Sequence, residues 1–237
     1  MRKSIGAVLL ALGLAACGAP APRESAPHAT STPENPSPAA AGLYRIDPAQ
    51  SELRILVYRA GAMAALGHNH VIVNRSLTGW IAAPRTPAAA SFSLSLPSAQ
   101  FTLDEATLRS EEGADFEEPV ADDARAGTLR NMLSPALLDA AEFPQITVRS
   151  VAITAGPVLE ATVALDVAGH DSTLVVPFTV DIAGDRLTAR AAFSVRQSAL
   201  GLTPFSVLLG ALRVEDQMRL KVKLVAVAAA GTAGTGS

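Results

Sequence analysis

The sequence holds a single cysteine, Cys17, so no disulfide can form within the chain. Positive charge is neither abundant nor gathered: 19 Lys and Arg stand scattered against 22 Asp and Glu, which excludes the basic face that a nucleic-acid partner needs. Ser, His and Asp are present, but no Gly-x-Ser-x-Gly elbow or other nucleophile signature accompanies them, and hydrolase chemistry is left without a centre. Beyond the first seventeen residues no stretch reads as a transmembrane helix.

What the N-terminus does contain is an address. Arg2 and Lys3 supply positive charge, residues 5–14 form an apolar run too short to span a bilayer as a folded helix, and Leu14-Ala15-Ala16-Cys17 is a small-residue processing site. This is the anatomy of a bacterial lipoprotein signal, with an ordinary secretory signal or a retained signal anchor as the alternatives. It predicts that residues 1–16 are removed and that Cys17 is the lipid attachment point. Gly18, where Asp would mark inner-membrane retention, directs the expectation to the periplasmic face of the outer membrane.

Residues 17–42 are rich in Ala, Pro and Ser, a composition that disfavours helix and sheet and reads as a tether. At about 3.1 Å per extended residue it would reach several tens of ångströms. Residues 43–228 are enough for one substantial core, and residues 229–237 lack any apolar pattern and are expected to fray.

The central region alternates with a period of two. Phe92, Leu94 and Leu96 are interleaved with serines, and Leu159, Ala161, Val163, Leu165 and Val167 with Glu160, Thr162, Ala164 and Asp166. Turn chemistry at Ala168-Gly169-His170-Asp171 and Gly184-Asp185 separates strands that carry Leu174 to Ile182 and Leu187 to Val195 on alternate positions. With Leu53, Ile55 and Val57, residues 77–81, residues 146–153, and Met218, Leu220, Val222 and Leu224, the count reaches about eight strands. Two short helices are predicted, one capped by Asp122 and running to Met132, one opened by Ser134-Pro135 over residues 136–140. The fold class is all-β. An extended antiparallel barrel removes the edges of such a meander, and an open sandwich is the alternative.

Inward Phe92, Phe178 and Phe193 are mixed with Ala161, Ala189 and Ala191, which leaves an apolar lumen if those alanines sit at one level. If larger neighbours fill the gaps, the barrel is solid and serves only as a scaffold.

Four segments fall in a telling order: Tyr44-Arg45-Ile46-Asp47-Pro48-Ala49-Gln50-Ser51, Leu138-Asp139 through Phe143-Pro144-Gln145-Ile146 and Ser150, Leu165 with Gly169, and Gln197-Ser198-Ala199-Leu200-Gly201-Leu202. Together they resemble the YceI family of polyisoprenoid-binding proteins. Gln50 stands where the family usually has His, Val163 where it has Gly, Asp166 where it has Thr, and Ala199 and Leu200 replace a usual Asp and Phe. The resemblance implies a lipocalin-like barrel whose tunnel holds a polyisoprenoid or a similar amphiphile such as an isoprenoid quinone, without catalysis or cofactor. The lumen-lining candidates are Ile55, Val57, Phe92, Leu94, Ala161, Val163, Phe178, Ala189, Ala191 and Phe193.

In an extended Gly67-His68-Asn69-His70 segment both imidazoles project from one face. His68, Asn69 and His70 are therefore candidates for the mouth of the tunnel, where a head group would lie. The alternative is a metal- or haem-dependent redox or stress protein built on His68 and His70, which needs a third donor that His28 and His170 are poorly placed to supply. Arg75 and Arg196 are possible contacts to a phosphorylated head group. The acidic stretch from Glu111 through Asp123 lacks calcium-loop spacing and reads as a solvated loop.

Overall fold

The computed structural model describes residues 42–84 and 86–229. The signal, Cys17, His28, the tether up to residue 41 and the tail from residue 230 lie outside the described residues.

Strands β1 (Leu43–Ile46), β2 (Glu52–Val57), β3 (Arg59–Ala60), β4 (His70–Asn74), β5 (Thr78–Ala82), β6 (Ser91–Pro97) and β7 (Phe101–Leu103) precede helices α1 (Ala106–Glu111) and α2 (Asp122–Leu133). Then come β8 (Gln145–Thr154), β9 (Leu159–Val167), β10 (His170–Ala183), β11 (Arg186–Arg196), β12 (Ser206–Val207), β13 (Leu212–Val214) and β14 (Gln217–Ala228). β1, β5, β6, β8, β9, β10, β11 and β14 pair in that order, and β14 returns to β1. The result is a closed eight-stranded antiparallel barrel, the expected alternative to a sandwich with free edges.

β2, β4 and β7 continue the lines of β1, β5 and β6 past short breaks, and buried polar side chains mend each break. Between β1 and β2 the backbone N–H of Asp47 donates to the Val225 carbonyl. The Ser51 hydroxyl accepts from the Val225 N–H at 3.0 Å and donates to the Val225 carbonyl at 3.2 Å, standing in for a ladder rung. Asn74, fully buried, donates to the Pro97 carbonyl and accepts from the Ser76 N–H, closing the gap between β4 and β5. Ser98 and Gln197 do the same beside β6 and β11, through the Phe143 and Glu215 carbonyls.

The β9–β10 turn is Ala168-Gly169, with φ of 52° and 73°, the two-residue hairpin that right-twisted strands favour. No ladder joins β7 to β8, and α2 and the turn after it fill that side, with Met132 and Leu138 in the main core. Residues 134–138 form a turn, not the second helix expected from Ser134-Pro135. Asp139 takes φ 40° and its N–H bonds back to the Ser134 carbonyl, so the coil closes after one turn.

The acidic stretch is solvated as expected at Asp115, Glu117, Glu118, Asp122 and Asp123, but it is anchored to the barrel and is not a free loop. Residues 106–111 are helical, and Leu108 and Phe116 pack on Leu56, Val71 and Val73 to form a second small core outside the barrel. Arg54 donates to Glu52, Glu111 and Glu112, while Lys221 donates to Glu112, so the carboxylates clamp this cover to β2 and β14. Burial pushes the Glu112 carboxyl up, but its bonds to Lys221 and Arg54 outweigh that and hold it below the usual range.

Candidate functional site

Alternation sends one face of every long strand inward. Leu174, Val176 and Phe178 oppose Val163, Ala161 and Leu159 across the β9–β10 ladder, and Ala189, Ala191 and Phe193 oppose Leu224, Val222 and Leu220 across β11–β14. These side chains surround an internal cavity of about 840 Å³ whose lining is overwhelmingly apolar. It extends from Pro84, Pro87 and Ile182 at one end of the barrel to His68, Thr203 and Phe205 at the other. All ten lumen candidates, from Ile55 to Phe193, line it.

Ala161 lies opposite Val176 and Ala189 opposite Val180, four residues apart along β10, so the small side chains are spread along that strand and not gathered at one of its positions. The width of the lumen comes from eight strands around the ring as well as from small side chains. The β10–β11 ladder covers residues 179–183 only, and residues 170–178 pair with β9 alone. A shallower pocket of about 600 Å³ meets the cavity at this parting, at Phe178, Ala191 and Val222.

A space of this size is not closed by the barrel's own side chains and is left to a guest or to water. Water is a poor filler where so few polar partners face it. The interior is shaped to be occupied by something apolar.

Polar groups gather at the His68 end. His70 is 7% exposed; its Nδ1 lies 2.6 Å from Asp104 Oδ2 and its Nε2 is 3.4 Å from the Thr128 hydroxyl. Asp104, at φ 56°, also accepts from the Val71 N–H at 3.0 Å and from Arg109 Nη1 at 2.6 Å. Burial raises the Asp104 carboxyl, but the bonds from His70, Val71 and Arg109 prevail and hold it below the ordinary carboxylate range. Arg109 donates as well to the Asn69 and Glu118 carbonyls, so the cluster ties β4 to the outer cover.

His68 and His70 both line the cavity, with ring centroids 6.1 Å apart. Asn69 does not. Its side chain accepts from the Arg59 N–H and donates to the Asp115 carbonyl, which makes it a strut behind the mouth. His170 packs over Gly201, whose φ of 76° and lack of a Cβ admit the ring. Among the described residues no three His, Cys, Asp or Glu side chains converge as metal ligands, and both nitrogens of His70 have protein partners. Nothing in this geometry favours the metal or haem alternative. Arg75 is bound to Glu52 and Glu105 on the outer wall, away from any head group in the cavity. The Asp104–Arg109 pair escaped sequence reasoning because no period or motif in residues 104–109 ties them to His70, 34 residues before Asp104.

A closed barrel around a long apolar cavity, polar at one end, belongs to the small lipocalin-like barrels that hold a guest inside. Residues 44–226 match the YceI-like domain, and the chain belongs to that family. Two solved structures share the fold. BcnA of Burkholderia cenocepacia is 19% identical at a TM-score of 0.53, over 76% of this chain and 98% of that one. A polyisoprenoid binding domain from Saccharophagus degradans, implicated in plant cell wall breakdown, is 14% identical at a TM-score of 0.52, over 78% and 98%. No curated protein matches the sequence.

Proposed function

We propose that this protein sequesters a long apolar amphiphile, of polyisoprenoid or isoprenoid-quinone type, in the barrel interior without transforming it. The continuous apolar cavity carries this reading. Support comes from family membership and from the Saccharophagus domain, which is described as polyisoprenoid-binding. In this reading His68 and His70 meet the head group at the polar end, and Phe92, Phe178 and Phe193 contact the tail. Cys17 carries a lipid that holds the domain at the periplasmic face of the outer membrane.

Energetics restrict where selectivity can arise. Burying each CH₂ from water yields about 0.8 kcal/mol, and a prenyl tail summed this way exceeds any real affinity. The competing state is the bilayer, where the tail is equally at home. Choice among lipids therefore rests on the shape of the bore and on the polar end.

The test is native mass spectrometry of the protein isolated from its own cell envelope, with organic extraction of whatever it carries. One apolar molecule per chain, of isoprenoid mass, is the expected result. A chain that carries none and takes up no added prenyl alcohol is not a lipid carrier.

A further inference from the structure

The polar end of the cavity bears a feature that guest binding does not use. Strands β12 and β13 form a small hairpin, Ser206 opposite Arg213 and Val207 opposite Leu212, which β13 joins to β3. The base of the hairpin, Thr203 to Ser206 and Leu212, lines the cavity. Its tip is Leu208-Leu209-Gly210. Both leucines adopt left-handed backbone, at φ 52° and 56°, a conformation that side-chain-bearing residues avoid and that turns normally assign to Gly or Asn. Leu208 is 60% exposed and Leu209 109%, completely proud of the surface.

A second loop lies against the first. The Met63 N–H donates to the Ala211 carbonyl at 2.8 Å, and Gly67 sits close to the Leu212 side chain. Leu66 on this loop is 65% exposed. Neither residues 60–67 nor residues 203–212 include a single charge, in a chain that is 17% charged. An arginine borders each segment, Arg59 before the first and Arg213 after the second.

We propose that these two loops are a bilayer-docking tip, which seats Leu66, Leu208 and Leu209 among lipid acyl chains with Arg59 and Arg213 at the depth of the phosphates. The Arg213 guanidinium donates to the Gly210 carbonyl, and that of Arg59 to the Gly67 carbonyl and the exposed Glu118 carboxylate, so among the described residues Arg213 is the cation not shared with a carboxylate there. Uncharged apolar tips above such groups match the layering of a membrane interface, apolar inside and anionic outside. A stable protein interface takes about 800 Å² from each partner, more than two short loop tips supply, whereas a bilayer accepts single inserted side chains. The base of the same hairpin lines the cavity, so docking would join the barrel interior to the lipid phase and spare a prenyl tail from crossing water. That use rests on the proposed carrier function; insertion of the tip does not.

The membrane-facing end is opposite the end where β1 begins. About 25 residues separate Cys17 from Gly42 and can span up to about 80 Å, so an anchor at Cys17 leaves the tip free to reach the bilayer.

The test uses the full chain reconstituted in phosphatidylethanolamine–phosphatidylglycerol vesicles that carry doxyl-labelled lipid. Trp80 is the one tryptophan of the sequence, so in a Trp80→Phe background Leu209→Trp and Val175→Trp each report from one place. Val175 is 59% exposed on the outer barrel wall and serves as the equally tethered control. At least two-fold quenching of the Leu209→Trp signal, with the Val175→Trp signal unchanged, is expected. Equal quenching at the two positions overturns the proposal, as does a dimer in vesicle-free solution that Leu208→Ser dissolves. Transfer of a fluorescent prenyl alcohol from vesicles to a Leu208→Ser, Leu209→Ser double variant should slow about ten-fold with equilibrium loading unchanged. Failure to load in wild type and variant alike would count against the carrier reading and leave the quenching result to stand by itself.

Discussion

Strands β10 and β4 face the same cavity, yet β10 leaves its outer side to water and β4 does not. On β10 the outward residues Asp171, Thr173, Val175, Pro177 and Thr179 are all exposed. On β4 all five residues are buried, His70, Ile72 and Asn74 on one face and Val71 and Val73 beneath α1 and Phe116 on the other. One wall is a single sheet around a guest space. The other is a two-sided wall whose cover brings Asp104 and Arg109 to His70. The hollow part of the barrel is thus its simplest part, and added structure is concentrated where a polar end has to be held in place.

Breaking the buried cluster should have the largest effect. Asp104→Ala leaves the Arg109 guanidinium buried without its carboxylate and is expected to cost about 3–5 kcal/mol at pH 7 in denaturant unfolding. The sign of its pH dependence follows from the lowered carboxyl: the contribution is complete above about pH 4 and fades as pH falls through the folded-state value. The gap between wild type and variant should therefore narrow in acid. A gap that stays constant down to pH 2 would mean that the charge on Asp104 contributes nothing.

A smaller effect sharpens the contrast between walls. Val73, 2% exposed, and Val175, 59% exposed, both point outward. Val73→Ala should cost about 2 kcal/mol and Val175→Ala no more than about 0.5 kcal/mol. Equal losses would show that the outer cover is not a second core.

This contrast also explains what could be read from residues alone. A one-sided wall writes its inward face as a period of two, and β9, β10, β11 and β14 stand where that pattern places them, with all ten lumen candidates on the cavity. A two-sided strand loses the signature, since His-Val-Ile-Val-Asn shows no wet face. Its cover looks solvated because Glu111 and Glu112 find their cations, Arg54 and Lys221, on distant strands. Only its place between two histidines makes Asn69 a candidate for the mouth, while its bonds to Arg59 and Asp115 depend on the loop's path. Ser51 and Gln197, residues that carry the family resemblance, mend breaks in the ladder, and of the two Gln197 also borders the cavity; their bonds to the backbone identify the barrel more directly than its guest.

The central claim is that the guest lies along the hollow wall, and substitution at Ala191 tests it most directly. Ala191 opposes Val222 at the parting of β10 and β11, and an indole there occupies the bore. Binding of a fluorescent prenyl alcohol to Ala191→Trp, measured beside wild type and with thermal unfolding unchanged, should weaken roughly 100-fold, equivalent to about 2.7 kcal/mol. Undiminished binding by a folded Ala191→Trp barrel would contradict the account.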